Sequence, residues 1–263
     1  DVCSSDLAPS PAVRVELLEA DTRVDGREAS LCKAAGHPDI RCERGWLALQ
    51  PERRSIYYET ISSEEVLQSV ALVTADFSGT DERSRLAITV QLSSLAANME
   101  AGYQQGFGTG LDTMARVAER TMVLLRVIKA PRSIVWRAWM NADTLPQWWG
   151  PDGFSCRTTR IDLRTGGEWV FDMIGPDGTV FPNHHRYTEV RPEERIAYTL
   201  LWGEDGPKHA DAWASLEELD GGTKVTLAMT FSTAAEYQNA KGFGAVELGL
   251  QTLGKLARFI GSD

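Results

Sequence analysis

The stretch LLRVIKAPRSIVWRAWMNADTLPQWWGP, residues 124–151, decides the fold of this chain. It opens as a weakly alternating strand, which ends at Ala130-Pro131 because proline removes a ladder donor. A helix follows, and its apolar positions cluster on one side at helical spacing. A short helical turn then runs into the tetrapeptide WWGP at 148–151. The stretch therefore predicts a strand, an amphipathic helix and a turn of helix in close succession.

Six further segments have the composition of strands, and the breaks between them are rich in Gly, Pro and Asp. These segments are residues 154–163, 167–174, 183–190, 195–202, 212–218 and 223–231. Because the intervening turns are short, consecutive strands are expected to pair antiparallel. The pattern predicts an antiparallel meander that follows the opening strand and helix.

The last segment of the chain predicts a helix. Thr233 and Glu236 have the capping-box spacing, in which each side chain binds a free backbone N–H of the first turn. An apolar stripe follows at the spacing of one helical face. Its members are Val246, Leu250, Leu253, Ala257 and Ile260. This order of elements predicts an α+β fold, with a curved antiparallel sheet wrapped around a long C-terminal helix.

Short motifs along the same segment complete a family pattern. They are DLRTGG at 162–167, YTEV at 187–190, PEERI at 192–196 and QTL at 251–253. With the opening stretch, they make residues 122–260 resemble the START-like, helix-grip superfamily (SRPBCC), in the branch of the homologues of the activator of the heat-shock protein 90 ATPase. The resemblance implies a helix-grip fold, with a cavity between sheet and long helix in members that hold a ligand. It implies no single activity, because this fold carries binding proteins, carriers, cyclases and co-chaperones.

The chain also repeats itself over a long period. Three patterns recur in order: DxRxxG at 21–26 and 162–167, PExRxxY at 51–57 and 192–198, and GLxT at 110–113 and 249–252. The first two are offset by 141 residues and the third by 139. We predict tandem copies of one START-like domain. Residues 8–120 form a copy that lacks its first strand and helix pair, and residues 121–263 form a complete copy.

Residues 1–7, DVCSSDL, match the translation of a sequencing-library adapter, GAC GTG TGC TCT TCC GAT CT, and we interpret them as an artefact outside the fold. On this interpretation, the first copy leaves the strand at 85–92 with an open ladder edge. Unpaired strand edges can pair with strands of other chains, so the whole chain is expected to aggregate or to undergo domain swapping more readily than residues 121–263 alone. Equal solubility of the two would contradict this expectation.

The composition excludes several classes of partner. The 263 residues carry a net charge of −10, with an acidic excess in both halves, so neither nucleic acid nor an anionic membrane is a fitting partner. No apolar run approaches the ~20 residues of a membrane span, which predicts no membrane insertion. Four cysteines in a chain of this length favour a reducing cytoplasm over a disulfide scaffold. Cys32 and Cys42 flank His37 without the close spacing of metal ligands, so no metal and no cofactor are predicted.

Candidate binding residues lie on one face of the predicted sheet, where alternate positions of several strands carry large side chains. With apolar positions of the helices, they are expected to line a cavity between the sheet and the long helix. The predicted ligand-binding residues are Trp139, Trp149, Trp169, Phe171, Met173, His185, Tyr187, Tyr198, Trp202, Met229, Phe231 and Leu250. The alternative is that these side chains form an ordinary core without a ligand.

His184, His185 and Glu189 are the cluster best suited to acid–base chemistry. On a regular strand His185 and Glu189 share a face, while His184 points the other way, where a solvated histidine is ordinary. The resemblance instead implies a structural charge pair between Glu189 and Arg195, and a similar role for the Asp and Arg of the DxRxxG pattern. No nucleophile has a supporting motif, so no catalytic residue is assigned.

Three functions are open at this point. The leading hypothesis is non-catalytic binding of a small hydrophobic or amphipathic molecule in the cavity between sheet and helix. The second is a cyclase- or hydrolase-like enzyme that acts on a polyketide-like substrate through His185 and Glu189. The third is a co-chaperone-type module that docks a partner ATPase, as the resemblance implies. A pseudo-dimer of the two copies and a homo-oligomer are both open as assembly states.

Overall fold

The computed structural model of the protein describes residues 13–80, 84–204 and 206–261. The heptapeptide at 1–7, and with it the proposed adapter origin, lies outside these described residues. The chain divides into two compact units, unit 1 up to Ala115 and unit 2 from Arg116. Each unit has its own antiparallel sheet and its own hydrophobic core.

Unit 1 is a six-stranded meander in which each strand pairs with the next along the chain. Its elements are β1 (Val13–Ala20), β2 (Arg27–Ala34), β3 (Ile40–Gln50), β4 (Arg54–Ser63), β5 (Val66–Gly79), β6 (Ser84–Ser94) and α1 (Met99–Ala118), which runs on past the boundary. A small core forms where Tyr103 of α1 packs on Tyr57 and Val73 of the sheet. β6 pairs with β5, and no described strand pairs with its other edge. The segment 85–92 therefore lies in an edge strand of this sheet.

Unit 2 is a seven-stranded sheet with helices on one face, in the strand order β7-β13-β12-β11-β10-β9-β8. Its strands are β7 (Thr121–Ile128), β8 (Ser155–Ile161), β9 (Glu168–Ile174), β10 (Val180–Arg191), β11 (Arg195–Leu201), β12 (Lys208–Leu219) and β13 (Gly222–Phe231). Its helices are α2 (Arg132–Trp139), α3 (Leu145–Trp148), α4 (Ala234–Gly242) and α5 (Ala245–Phe259). The first strand pairs antiparallel with the last. The predicted α+β helix-grip fold is confirmed.

Two helices, not one, follow the sheet of unit 2. The predicted capping box is present, because Thr233 Oγ1 accepts from the Glu236 N–H and Glu236 Oε2 accepts from the Thr233 N–H, both at 3.1 Å. This box begins α4. Gly244, at φ 86°, then adopts the left-handed conformation that separates α4 from α5.

The buried face of α5 is rotated from the predicted apolar stripe. Leu253 and Ala257 are buried as predicted, but Leu256 is buried with them, whereas Leu250 is 39% exposed. Gly249 lies against the sheet, since an added Cβ there would be 2.3 Å from Leu124 Cδ1. The close approach of helix and strand at this glycine sets the rotation of α5. The prediction that Leu250 faces the interior is therefore wrong.

The two units repeat one turn geometry at positions 141 residues apart. In each, an Asp carboxylate pairs with the Arg two residues later, at 2.8 Å for Asp21–Arg23 and 2.9 Å for Asp162–Arg164. A β-bulge recurs at the same offset. It lies at 46–48 in β3 of unit 1 and at 187–189 in β10 of unit 2. The predicted structural role of this Asp–Arg pair fits its place at the entry to β2 and β9.

Gly167→Ala is expected to destabilise unit 2 by about 1–3 kcal/mol. An added Cβ would lie 2.3 Å from the backbone oxygen of Asp162, so the turn itself must shift. Gly26→Ala is expected to affect unit 1 similarly, since the distance to the Asp21 oxygen is 2.2 Å. Gly242→Ala is the matched control, because an added Cβ there meets nothing within 4 Å. Chemical denaturation followed by circular dichroism measures the effect, and equal stabilities of the Gly167 and Gly242 variants would contradict it.

Candidate functional site

The helices of unit 2 bring three tryptophans to the inner face of the sheet. α2 begins after Pro131 and buries Trp139 at its last residue. α3 buries Trp148, whose indole Nε1–H donates to the Ala138 carbonyl at 2.9 Å. Gly150, at φ 91°, turns the chain directly after Trp149, which stays partly exposed. The opening stretch of the sequence therefore builds one wall of the interior.

An aromatic cluster fills the space between these helices and the sheet. Its members are Trp139, Trp148, Trp149, Trp169, Phe171, His185, Tyr187 and Tyr198. Trp169 stacks on Phe171 with ring centroids 3.7 Å apart, and His185 stacks on Tyr198 at 4.5 Å. Trp149 links the rings of the helices to those of the sheet. Its ring centroid lies 6.0 Å from that of Trp169 and 5.4 Å from that of His185. The rings contact one another, so the interior is closed in this structure.

Two polar groups are buried inside the aromatic cluster. The Tyr198 side chain is 2% exposed, and its hydroxyl has no hydrogen-bond partner among the described residues. His185 is 2% exposed, and its described contacts are with aromatic rings. Burial, with a smaller contribution from the charge of His184, lowers the pKa of His185 to about 3. Burial raises the pKa of Tyr198 above its ordinary value. At neutral pH the cluster therefore holds a neutral imidazole and a protonated phenol.

The proposed acid–base pair of His185 and Glu189 does not form. The bulge between Tyr187 and Glu189 breaks the alternation of β10, so Glu189 leaves the face of His185. Its carboxylate instead contacts Arg195 Nε and Arg191 Nε, each at 2.9 Å. The implied charge pair between Glu189 and Arg195 is present. The arrangement that motivated the enzymatic hypothesis is absent from this geometry.

The structure brings many of the predicted binding residues together, and separates others. Trp139, Trp149, Trp169, Phe171, His185, Tyr187 and Tyr198 belong to the aromatic cluster, and Met173 and Met229 pack against the same core while partly buried. Phe231 is buried in a neighbouring group with His209 and Tyr237.

Trp202 and Leu250 do not line this interior. Trp202 is 49% exposed, because β11 ends at Leu201 after an irregularity in register between Leu200 and Leu201. Its ring packs against the His209 ring, with the two centroids 4.3 Å apart. Leu250 is turned outward by the rotation of α5 described above. The prediction that these two side chains face the interior is wrong.

Two features of the site were missed from the sequence. Trp148 is fully buried. It lies three residues after the buried Leu145 in a helical turn, and this spacing places both side chains on one face and could have predicted the burial. His184 was expected to be solvated, but it is 1% exposed on the opposite side of the sheet. Its Nε2 lies 2.7 Å from Glu168 Oε2, an acceptor that no local pattern places beside it.

No helix among the described residues has the length and apolar content needed to cross a bilayer.

In residues 13–80, 84–204 and 206–261, no three His, Cys, Asp or Glu side chains gather closely enough to hold a metal ion. Cys32, Cys42 and Cys156 are each partly buried, and Cys42 and Cys156 are free thiols. Burial raises the pKa of the Cys156 thiol to about 12, so this thiol stays protonated at neutral pH.

Solved structures resemble this chain over about half of its length. A protein from Nitrosomonas europaea is 28% identical, with 54% of this chain and 95% of that chain covered and a TM-score of 0.49. A protein from Arthrobacter aurescens is 21% identical, with 55% and 87% covered and a TM-score of 0.51. A protein from Mycobacterium smegmatis is 23% identical, with 55% and 92% covered and a TM-score of 0.50. The latter two likenesses concern the fold alone.

No curated protein matches the chain. A family profile does match, over residues 129–261, and its description is Activator of Hsp90 ATPase homolog 1-like protein. This segment covers α2, α3, the sheet from β8 to β13 and both C-terminal helices, which are the elements that enclose the aromatic cluster. Because the match extends over half of the chain, the protein belongs to the family of Activator of Hsp90 ATPase homolog 1-like proteins.

Proposed function

We propose that unit 2 binds a small hydrophobic or amphipathic molecule within the aromatic cluster, without catalysis. The observation that carries this proposal is the buried Tyr198 hydroxyl, which has no hydrogen-bond partner among the described residues. A buried polar group without a partner costs about 1–3 kcal/mol, so its presence needs an explanation. A ligand with an apolar body and one polar group supplies both the packing and the missing hydrogen bond.

Trp149 is the expected point of entry. It is partly exposed, whereas Trp139, Trp148 and Trp169 are at most 1% exposed. The rings contact one another, so a ligand must displace one of them to enter. Trp149 lies at the end of α3, and Gly150 beside it has the left-handed φ of 91° that glycine adopts without strain. Movement of Trp149 is therefore expected to open the cluster toward Tyr198 and His185.

The test uses the full chain with 2-naphthol as the probe, followed by tryptophan fluorescence and thermal shift. We expect saturable quenching and a raised melting temperature. Tyr198→Phe removes the hydroxyl while keeping the ring, and it is expected to weaken binding about 5- to 10-fold, the value of one hydrogen bond. The folded protein should lose no stability, because the deleted hydroxyl has no partner among the described residues.

Trp202→Phe is the control for this test, because Trp202 lies outside the aromatic cluster and its loss should leave the affinity for 2-naphthol unchanged. Absence of any response to 2-naphthol, fatty acids or polyketide-like compounds would contradict the proposal. The aromatic cluster would then be a packed core, and the search would move to protein partners.

We also infer that the two units are tandem copies of one domain, with residues 8–120 and 121–263 as their extents. The equal turn geometry and the equal bulges 141 residues apart support this, because such irregularities depend on details that unrelated sheets do not share. A reducing cytoplasm stays the predicted location, and the free thiols are compatible with it.

A further inference from the structure

The loop at 149–154 joins α3 to β8 and carries Trp149, the expected point of entry, at its first position. It belongs to neither a helix nor a strand, so its backbone polar groups need partners from elsewhere. The Trp149 carbonyl accepts from the Cys156 thiol, with 3.5 Å between oxygen and sulfur. Further contacts to this loop come from one face of α5.

Three residues of α5 contact the loop, and their i, i+4, i+7 spacing places them on one helical face. They are Gln251, Lys255 and Arg258, which we call the latch. Lys255 Nζ donates to the Phe154 carbonyl at 3.0 Å and to the Pro151 carbonyl at 3.3 Å. Lys255 is partly buried, and hydrogen bonds from a charged donor are stronger than those between neutral groups. This ammonium group therefore ties together both ends of the turn at 151–154.

The other two residues of the latch hold Asp152. The Asp152 N–H donates to Gln251 Oε1 at 3.2 Å, and the Asp152 carboxylate pairs with Arg258. This ion pair is exposed, with 54% of the Asp152 side chain and 49% of the Arg258 side chain accessible to solvent. Exposed ion pairs contribute little to stability. Lys255 is therefore expected to contribute more than Arg258 to holding the loop.

The loop lies directly on the interior that holds the aromatic cluster. Gly150 and Pro151 are buried, and an added Cβ at Gly150 would lie 3.0 Å from Met173 Sδ. The ring of Trp149 contacts the rings of Trp169 and His185. Because Trp149 and Gly150 are adjacent in the chain, a displacement of the loop from Met173 also displaces the Trp149 ring. The latch and the aromatic cluster are thus mechanically coupled.

We propose that Lys255 is a positioning residue that keeps the 149–154 loop closed and thereby sets the rate at which a ligand reaches the aromatic cluster. This inference rests on the proposed function, in which a ligand enters by movement of Trp149. Lys255 acts on the loop through the carbonyls of Pro151 and Phe154, and opening breaks both hydrogen bonds. The loop closes again over the bound molecule. Weakening the latch therefore accelerates association and dissociation equally and leaves the affinity unchanged.

The first experiment is amide hydrogen exchange of the full chain without a ligand. Lys255→Met keeps the stem of the side chain and removes its donors. We expect the amides of Asp152 and Phe154 to exchange about 10-fold faster in this variant, the effect of losing a hydrogen bond from a charged donor. Asp152→Asn, which removes only the exposed ion pair, is expected to accelerate exchange at Phe154 by less than about 5-fold.

Lys241→Met is the matched control, because it makes the same chemical change at an exposed lysine of α4 that makes none of the loop contacts described above. It should leave exchange at Asp152 and Phe154 unchanged. Unaltered exchange in the Lys255→Met variant, or equal acceleration in both lysine variants, would overturn the inference. Circular dichroism verifies that each variant is folded.

The second experiment follows 2-naphthol by stopped-flow tryptophan fluorescence. In the Lys255→Met variant we expect association and dissociation to be about 10-fold faster, in proportion to the exchange, with the dissociation constant unchanged. Faster exchange with unaltered binding rates would show that the loop does not control access. The exchange experiment uses no ligand, so it decides whether Lys255 holds the loop even if 2-naphthol does not bind. That failure would contradict the proposed function, whereas unaltered exchange contradicts the role of Lys255 alone.

Discussion

Replacing Trp169 with alanine is expected to lower the free energy of unfolding of unit 2 by about 3–5 kcal/mol. The Trp169 ring is fully buried, stacks on Phe171 at 3.7 Å and donates from Nε1 to Thr158 Oγ1 at 3.0 Å. Alanine removes both contacts and leaves a cavity that close-packed neighbours cannot fill. The loss combines the transfer free energy of the indole with the cost of that cavity.

Trp202→Ala is the matched control for this prediction. Trp202 is 49% exposed, so its removal is expected to cost less than about 1 kcal/mol. Urea denaturation followed by far-UV circular dichroism measures both variants without relying on tryptophan fluorescence. If the free energy of unfolding fell by a similar amount in the two variants, Trp169 would not be part of a closely packed interior.

Acidification is expected to destabilise unit 2 through His185. The pKa of this imidazole in the folded protein is lowered to about 3, from an ordinary value of 6.5. Between these pH values the unfolded chain binds a proton at His185 that the folded protein does not. Stability is therefore fully present above pH 6.5 and falls as the pH is lowered, by about 1.4 kcal/mol per pH unit, until about pH 3.

His185→Phe is expected to flatten this dependence, because phenylalanine keeps an aromatic ring in the cluster and binds no proton. Urea denaturation at a series of pH values between 3 and 7 measures the slope for each protein. His37→Asn is the control, since it also removes a histidine but from an exposed position outside the aromatic cluster. An unchanged slope in the His185→Phe variant would assign the acid sensitivity to other groups.

Local patterns predicted much of unit 2. The Ala130-Pro131 pair ended β7 within two residues of the predicted boundary, and the Thr233–Glu236 spacing gave the capping box of α4. Alternation also predicted the buried face of β11, where Tyr198 is 2% exposed. These features depend on neighbours in the chain, so the information lies in the sequence segment itself.

The site was predicted less completely, and each error has a physical cause. Strict alternation predicts Glu189 on the same face as His185, whereas the β-bulge shifts it to the other face. Continued alternation along β11 predicts an inward-facing Trp202, but the register is irregular after Leu200. Helical periodicity predicts Leu250 in the buried stripe, but the close contact between Gly249 and Leu124 rotates the helix.

The sequence by itself determined the order of the elements, the α+β helix-grip class and the aromatic content of the unit 2 interior, because periodicity, turn residues and caps are local properties. Tertiary structure alone decided which groups meet. The contacts of Lys255 with Pro151 and Phe154 join residues 104 and 101 positions apart, and the isolation of the Tyr198 hydroxyl depends on every ring around it. Such contacts follow from strand register, bulges and helix rotation, which are set by the packing of segments distant in the chain.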